Sequence, residues 1–247
     1  MLIRAAVLMI LLASLPAGRV RAAGPAKSPR PTLDQIGVEL QTLVDWEELD
    51  DPKATLRDVL NHLRNTYKVN VPFDYNDKAF GEAFGDSTKD VRDAIVGKIE
   101  ADRLPLGRLL HRILGKLVVG GGGATFMLRA GHIEITTEAA IARELKLAPA
   151  DDDAPSRLPT MITYLKLDGE TLEAACEKIA DRAGVTVAID PRAKEKASAV
   201  IKARLVNIPL DTAMELVADM AGLAVTRKAN AYYLTTPENA AKMKGGK

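Results

Sequence analysis

The chain has 247 residues and a formal net charge of +1 at pH 7, with 47% hydrophobic and 27% charged residues. This composition is typical of a globular protein and excludes a collagen-like, disordered or disulfide-rich chain. The near-zero charge argues against a broad nucleic-acid-binding surface. The single cysteine, Cys176, cannot form an internal disulfide or a cysteine-based zinc site alone.

The first 22 residues have the pattern of a secretory signal peptide. Arg4 precedes an 11-residue apolar run at 5–15, and small residues around Ala22 suit a signal peptidase. Such a run gives about 16 Å of helix, which is too short for a bilayer core of about 30 Å. We expect cleavage after Ala22, export to the periplasm or the exterior, and no transmembrane segment in the mature chain. The alternative is an uncleaved N-terminal anchor.

Two proline-rich segments, one of them containing Asp151–Asp153, divide the remaining chain. The predicted organisation is a linker at 23–42, a first unit at 43–140, a linker at 141–159, a second unit at 160–238 and a flexible basic tail at 239–247. The two units match in three ungapped blocks, which indicates an internal repeat. The blocks pair 55–74 with 171–190, 104–106 with 208–210, and 124–137 with 223–236.

The blocks predict the same elements in each unit. Apolar residues at helical spacing follow Thr55 and Thr171, which suit the N-cap position of a helix. Alternating apolar residues predict strands after each helix, and Pro105 and Pro209 suit the first turn of a second helix. Each unit ends in a predicted hairpin.

The hairpin loops are Ala130-Gly131 and Ala229-Asn230, where we expect Gly131 and Asn230 to take a positive φ. The first unit also has an excursion at 76–89 and an insert at 118–123. The predicted elements of the second unit lie at 160–167, 171–183, 185–190, 199–206, 209–221, 223–228 and 231–235. We therefore predict an α+β fold of two tandem β-α-β-β-α-β-β units, each a two-layer sheet-and-helix sandwich.

These residues resemble a known family. The pattern consists of a TL helix start, a V-x-V-x-x-D strand, an x-P-L helix start and a hairpin that closes on Thr136-Thr137-Glu138 or Thr235-Thr236-Pro237-Glu238. It is similar to the short N-terminal (STN) domain of secretins and TonB-dependent receptors. The resemblance implies small periplasmic α+β domains that contact other proteins. The sequence contains no recognisable barrel, plug or secretin C-domain, so the expected role is adaptor-like rather than pore-forming.

Candidate chemical motifs favour structural roles. Gly120–Gly123 lacks the following helix and the GK[ST] of a phosphate loop. His62, His111 and His132 are too far apart in sequence for a local metal pair, and Cys176 lies on a helix core face. Asp74 and Asp190 are predicted turn residues that bond nearby amides. We predict no enzymatic activity, no cofactor and no metal.

The aromatic residues Trp46, Tyr232 and Tyr233 are the candidate contact residues, because aromatic side chains are favoured at interfaces. Tyr232 and Tyr233 point to opposite faces of a strand, so one of them is expected in the core. The leading hypothesis is a non-enzymatic exported protein that docks to another cell-envelope protein or to itself. The alternative is a binder of a small ligand or cell-wall polysaccharide. An envelope hydrolase ranks last.

Overall fold

A computed structural model describes residues 30–85, 90–119, 122–147 and 159–245. The predicted signal peptide, residues 1–22, and the acidic triplet Asp151–Asp153 lie outside the described residues. Within the described ranges, no helix is both long enough and apolar enough to cross a membrane.

The first half of the chain, residues 30–147, mixes helices with short strands. Its elements in chain order are α1 (Leu33–Glu39), β1 (Leu43–Trp46), α2 (Leu56–Thr66), β2 (Phe73–Tyr75), α3 (Asp77–Phe84), a 3-10 helix at Val91–Asp93, β3 (Asp102–Pro105), α4 (Leu106–Leu114), β4 (Val118–Val119), β5 (Gly122–Arg129), β6 (His132–Thr137) and α5 (Glu138–Glu144).

The second half, residues 159–245, has longer strands. Its elements are β7 (Met161–Thr171), α6 (Leu172–Ala183), β8 (Thr186–Ile189), a 3-10 helix at Pro191–Lys196, β9 (Val200–Pro209), α7 (Leu210–Met220), β10 (Ala224–Lys228), β11 (Ala231–Thr235) and α8 (Pro237–Gly245). The predicted α+β class is confirmed.

Strand pairing follows one pattern in both halves. In the first half, β1 pairs antiparallel with β3, while β6 pairs parallel with β2 and antiparallel with β5. In the second half, β7 pairs antiparallel with β9, while β11 pairs parallel with β8 and antiparallel with β10. The derivation of the two halves from one repeated unit stays a prediction.

Local capping explains where α2 and α6 begin and where α6 ends. The Thr55 side chain accepts a hydrogen bond from the Asp58 amide at 3.2 Å, and Thr171 accepts one from the Ala174 amide at 3.3 Å. These bonds satisfy amides that have no partner within the helix. Gly184 ends α6 with a left-handed φ of 66°, which costs glycine nothing. The predicted N-caps are confirmed.

Each half has its own apolar cluster, but the first cluster recruits residues from the second half. The first contains Leu56, Leu63 and Leu110, and the second contains Leu172 and Ile179. Tyr164 of β7 is buried in the first cluster, and Val206 of β9 packs against it. The two halves therefore share a packed interface.

Helices lie in all three segments that were expected to carry no regular structure, and α5 extends through Glu144 into the predicted linker 141–159. In the predicted linker 23–42, Thr32 and Gln35 form a capping box that begins α1. In the predicted tail 239–247, α8 continues through Gly245, with Thr236 accepting a hydrogen bond from the Asn239 amide at 3.3 Å.

The excursion at 76–89 contains α3, which separates β2 from a turn that also occurs in the second half. In that turn, the Asp90 carboxylate accepts a hydrogen bond from the Arg92 amide at 2.8 Å. Asp190 accepts one from the Arg192 amide at 3.0 Å in the same way. The predicted bond of Asp74 is also present, from the Tyr75 amide at 2.9 Å.

The two hairpins lie where the sequence predicts them, but their turns differ. Gly131 has a φ of 91°, as expected, whereas in the second hairpin Ala229, and not Asn230, has the positive φ, at 51°. The prediction for Asn230 is wrong. The Asn230 side chain donates to the Gly184 carbonyl at 3.3 Å, and its own carbonyl accepts from the Thr186 amide at 3.1 Å. These bonds hold Asn230 in place, and the positive φ of the turn falls on Ala229.

Candidate functional site

Helix α1 joins the two halves through a carboxylate and a glycine. Asp34 accepts hydrogen bonds from the Tyr164 hydroxyl at 3.0 Å and from Arg204 Nη1 at 3.1 Å. Gly37 lies directly against the Tyr164 ring, since a Cβ on Gly37 would fall 2.3 Å from two ring carbons. Only a residue without a side chain allows this approach of helix and ring.

A second contact joins β5 to β9. The Asn207 side chain donates to the Leu128 carbonyl at 2.8 Å and accepts from the Leu128 amide at 3.0 Å. The pair mimics the hydrogen bonds of a neighbouring strand and satisfies both backbone groups of a buried residue. Asn207 holds a φ of 49°, which asparagine tolerates better than most residues.

Between these two contacts lies an open cavity of about 830 Å³, which we call the central cleft. It is lined by the end of α1 and by α4, β5 and α5 from the first half, and by β7 and α6 from the second. The start of β7, with the two residues before it, contributes a nearly continuous run from Pro159 to Lys166, and among the described strands β7 pairs only with β9. The cleft therefore has a sheet edge along one wall.

The cleft wall is mixed in character, with apolar and charged parts. Met161, Leu165 and Phe126 give it apolar surface, and Val38 is 64% exposed at its rim. The ring of His111 lies 4.5 Å from that of Phe126, and desolvation lowers the pKa of His111.

Four cationic side chains and two carboxylates line the cleft. Lys166 pairs with Asp168 at 3.2 Å, and Lys178 pairs with Glu170. The lining carboxylates are Glu138 and Asp181, and Glu138 accepts a hydrogen bond from the Gly123 amide at 3.3 Å. The remaining two cations are arginines, one from each half.

Arg108 of α4 and Arg182 of α6 meet where the two halves face each other. Arg108 Nη2 donates to the backbone carbonyl of Asp181 at 3.3 Å, which places its guanidinium beside Arg182. The pKa of Arg182 is lowered by desolvation and then by the positive charge of Arg108. Two like charges thus lie close together, and both arginines are exposed.

The contact residues predicted from the sequence do not lie in this cleft. Trp46 is 2% exposed and packs between His62, at 5.3 Å, and Tyr67, at 5.5 Å. Tyr232 is also buried, and its hydroxyl bonds Asp211. Both are core residues, because their rings fill the apolar clusters of their halves, so neither can serve as an exposed contact.

Tyr233 lies on the opposite face of β11 and is half-buried. Desolvation and the nearby charge of Asp190 raise the pKa of its hydroxyl. It does not line the cleft.

Sequence reasoning missed Arg108 and Arg182, because helical periodicity separates buried from exposed positions but does not say which exposed face meets the other half.

Cys176 and the histidines behave as core or surface groups. Cys176 is 4% exposed, and burial raises the pKa of its thiol to about 12. Such a thiol is protonated and a poor nucleophile at neutral pH. Within the described ranges, no three His, Cys, Asp or Glu side chains cluster in a way that could hold a metal ion.

Neither the protein-family models nor the curated proteins that were compared match this chain. The resemblance to the short N-terminal domain of secretins and TonB-dependent receptors accordingly stays a prediction.

Proposed function

We propose that this is a non-enzymatic, exported interaction protein, built of STN-like modules, that binds an extended segment of another cell-envelope protein in the central cleft. The observation that supports this proposal is the position of β7, whose sheet edge runs along the wall of the cleft. An extended segment can add to such an edge through backbone hydrogen bonds and place its side chains against the apolar wall. Export rests on the N-terminal sequence alone.

Selection from a peptide library tests this function and does not require an identified partner. A library of random linear dodecapeptides is selected on the mature chain, and enriched peptides are synthesised and titrated by calorimetry. Amide hydrogen exchange with bound peptide is expected to slow at residues 161–166 of β7. Strand β10 is a matched control, because it is also an edge strand and lies outside the cleft. Protection of β10 alone, or no enriched peptide, would contradict the proposal.

A small ligand or a cell-wall polysaccharide is the second candidate. The cleft volume of about 830 Å³ falls within the range of small-ligand pockets, about 300–1,000 Å³. Thermal-shift measurements with purified wall fragments separate the two candidates. A fragment that raises the melting temperature, together with a library that yields no peptide, would favour this candidate. Sedimentation at several concentrations tests self-association separately.

A further inference from the structure

We propose that the segment bound in the central cleft carries an aspartate or glutamate, whose carboxylate is held between Arg108 and Arg182. This inference rests on the proposed function and names the chemistry of the partner. It starts from the position of the two arginines, which come from different halves and meet in the cleft.

The two guanidinium groups have no carboxylate partner within 4.0 Å among the described residues. The polar contact found for Arg108 is the neutral carbonyl of Asp181, and the nearby charge that acts on Arg182 is that of Arg108. Several arginines elsewhere in the chain are ion-paired instead. Arg92 and Arg129, for example, each pair with two carboxylates. A carboxylate brought by a ligand would relieve the repulsion between the two cleft arginines.

The other cations in the cleft already have partners on β7. Lys166 bonds Asp168 at 3.2 Å, and Lys178 bonds Glu170, so their charges are locally balanced. Among the described residues, the cleft cations without an ion pair are therefore Arg108 and Arg182. Arginine binds carboxylates through two parallel N–H donors, so two arginines can surround one carboxylate.

A peptide carboxylate fits this place better than a free anion. The same cleft offers the β7 edge and the apolar side chains Met161, Leu165 and Phe126, which a small inorganic anion would leave unused. An extended peptide that adds to β7 would contact these groups and direct alternate side chains to one wall. One acidic side chain on that wall would reach the arginines.

The experiment uses the peptides selected from the random library on the full mature chain. We expect enriched sequences to share an Asp or Glu, and Glu→Gln replacement in a synthetic peptide to raise its Kd about tenfold or more. Arg108→Gln and Arg182→Gln are expected to raise the Kd of the acidic peptide to a similar degree. The same variants are expected to change the Kd of the Gln peptide little. Arg103→Gln is the matched control, because Arg103 is exposed and lies outside the cleft.

Charge reversal separates recognition from folding. Arg182→Glu is expected to bind a peptide with Lys in place of the acidic residue better than it binds the acidic peptide, which a misfolded variant would not do. Peptides that protect β7 but bind equally well with Glu or Gln would overturn this inference and leave the proposed function standing. A library that yields no peptide would overturn both. A phosphoserine peptide that binds more than tenfold tighter than the Glu peptide would reassign the site to phosphate.

Discussion

At the scale of single residues, the second half keeps two non-glycine residues at positive φ for different reasons. Asn207, at 49°, uses its conformation to reach the backbone of Leu128. Ala229, at 51°, makes no comparable side-chain contact, because a methyl group cannot hydrogen-bond. The left-handed conformation costs an L-residue about 1–2 kcal/mol. The turn at Ala229 therefore stores strain that a substitution can release.

Ala229→Gly is expected to stabilise the protein by about 0.5–1 kcal/mol, which is the released strain less the entropy that glycine adds to the unfolded chain. Ala130→Gly is the matched control in the other hairpin, since Ala130 has no positive φ to relieve. That variant is expected to lose about 0.5 kcal/mol. Urea denaturation of both variants measures the difference. Equal shifts of the two midpoints would contradict the assignment of strain to Ala229.

Asp190 is a buried carboxylate whose partners favour its charged form. Its hydrogen bonds from Thr235 and from the Arg192 amide at 3.0 Å lower its pKa, with Thr235 the largest cause. Asn239 Nδ2 also donates to it at 3.2 Å. Because the folded pKa lies below the unfolded value of about 3.9, this stabilisation is fully present above that pH and is lost as pH falls through the folded value.

Asp190→Asn is accordingly expected to be less stable than the wild type at pH 7, with the difference narrowing at about pH 3. Urea curves at the two pH values check this. Asp74→Asn is the control, because Asp74 aligns with Asp190 in the sequence blocks but is exposed. That variant is expected to stay close to the wild type at both pH values. If the difference in stability between the wild type and Asp190→Asn is as large at pH 3 as at pH 7, the titration of Asp190 does not contribute to stability as expected.

At the scale of elements, the sequence predicts those that combine a capping residue with a clear period. Helix α6 begins after Thr171 and ends at Gly184, and each end carries its own chemical signal. Helix α1 was missed because its seven residues are too few for a period and prolines precede it. Helix α3 was missed because the excursion at 76–89 has no counterpart in the second half, so the repeat gave no guide.

The pairing of Asn207 with Leu128 is an element-scale contact, since it couples β9 to β5. Asn207→Ala is expected to cost about 2–3 kcal/mol, because it leaves two buried backbone groups without partners and keeps the unfavourable φ. Asn207→Gly loses the same bonds but tolerates the φ, so it is expected to cost about 1 kcal/mol less. Urea denaturation compares the two. Equal losses of stability in the two variants would show that the missing hydrogen bonds, and not the unfavourable φ, cause the whole effect.

At the scale of the whole molecule, two contacts join the halves beside the cleft. Neither contact has a sequence signal. Gly37 is one of 18 glycines, and nothing in the sequence connects it to Tyr164, 127 positions later. The arginines of the cleft were missed for the same reason, since only the packing of one half on the other brings the two side chains close together. The local elements could be predicted, and the site formed between the halves could not.

The contact between Gly37 and Tyr164 provides the test of this arrangement. In an isolated helix, Gly37→Ala would be stabilising by about 0.5–1 kcal/mol. Here the added Cβ would lie 2.3 Å from the ring of Tyr164. Such overpacking costs about 1–3 kcal/mol, so we expect net destabilisation. In a Tyr164→Ala background the same substitution should become neutral or stabilising, because the clash is gone.

Two spectroscopic signals measure whether the halves unfold as one unit. Trp46, the single tryptophan, reports on the first half by fluorescence, and circular dichroism reports on both halves. We expect the two signals to change together in the wild type and also in Gly37→Ala, but at a lower denaturant concentration in the variant, because the Asn207–Leu128 bonds still join the halves. Coincident transitions in that variant, at wild-type stability, would show that α1 does not couple the halves.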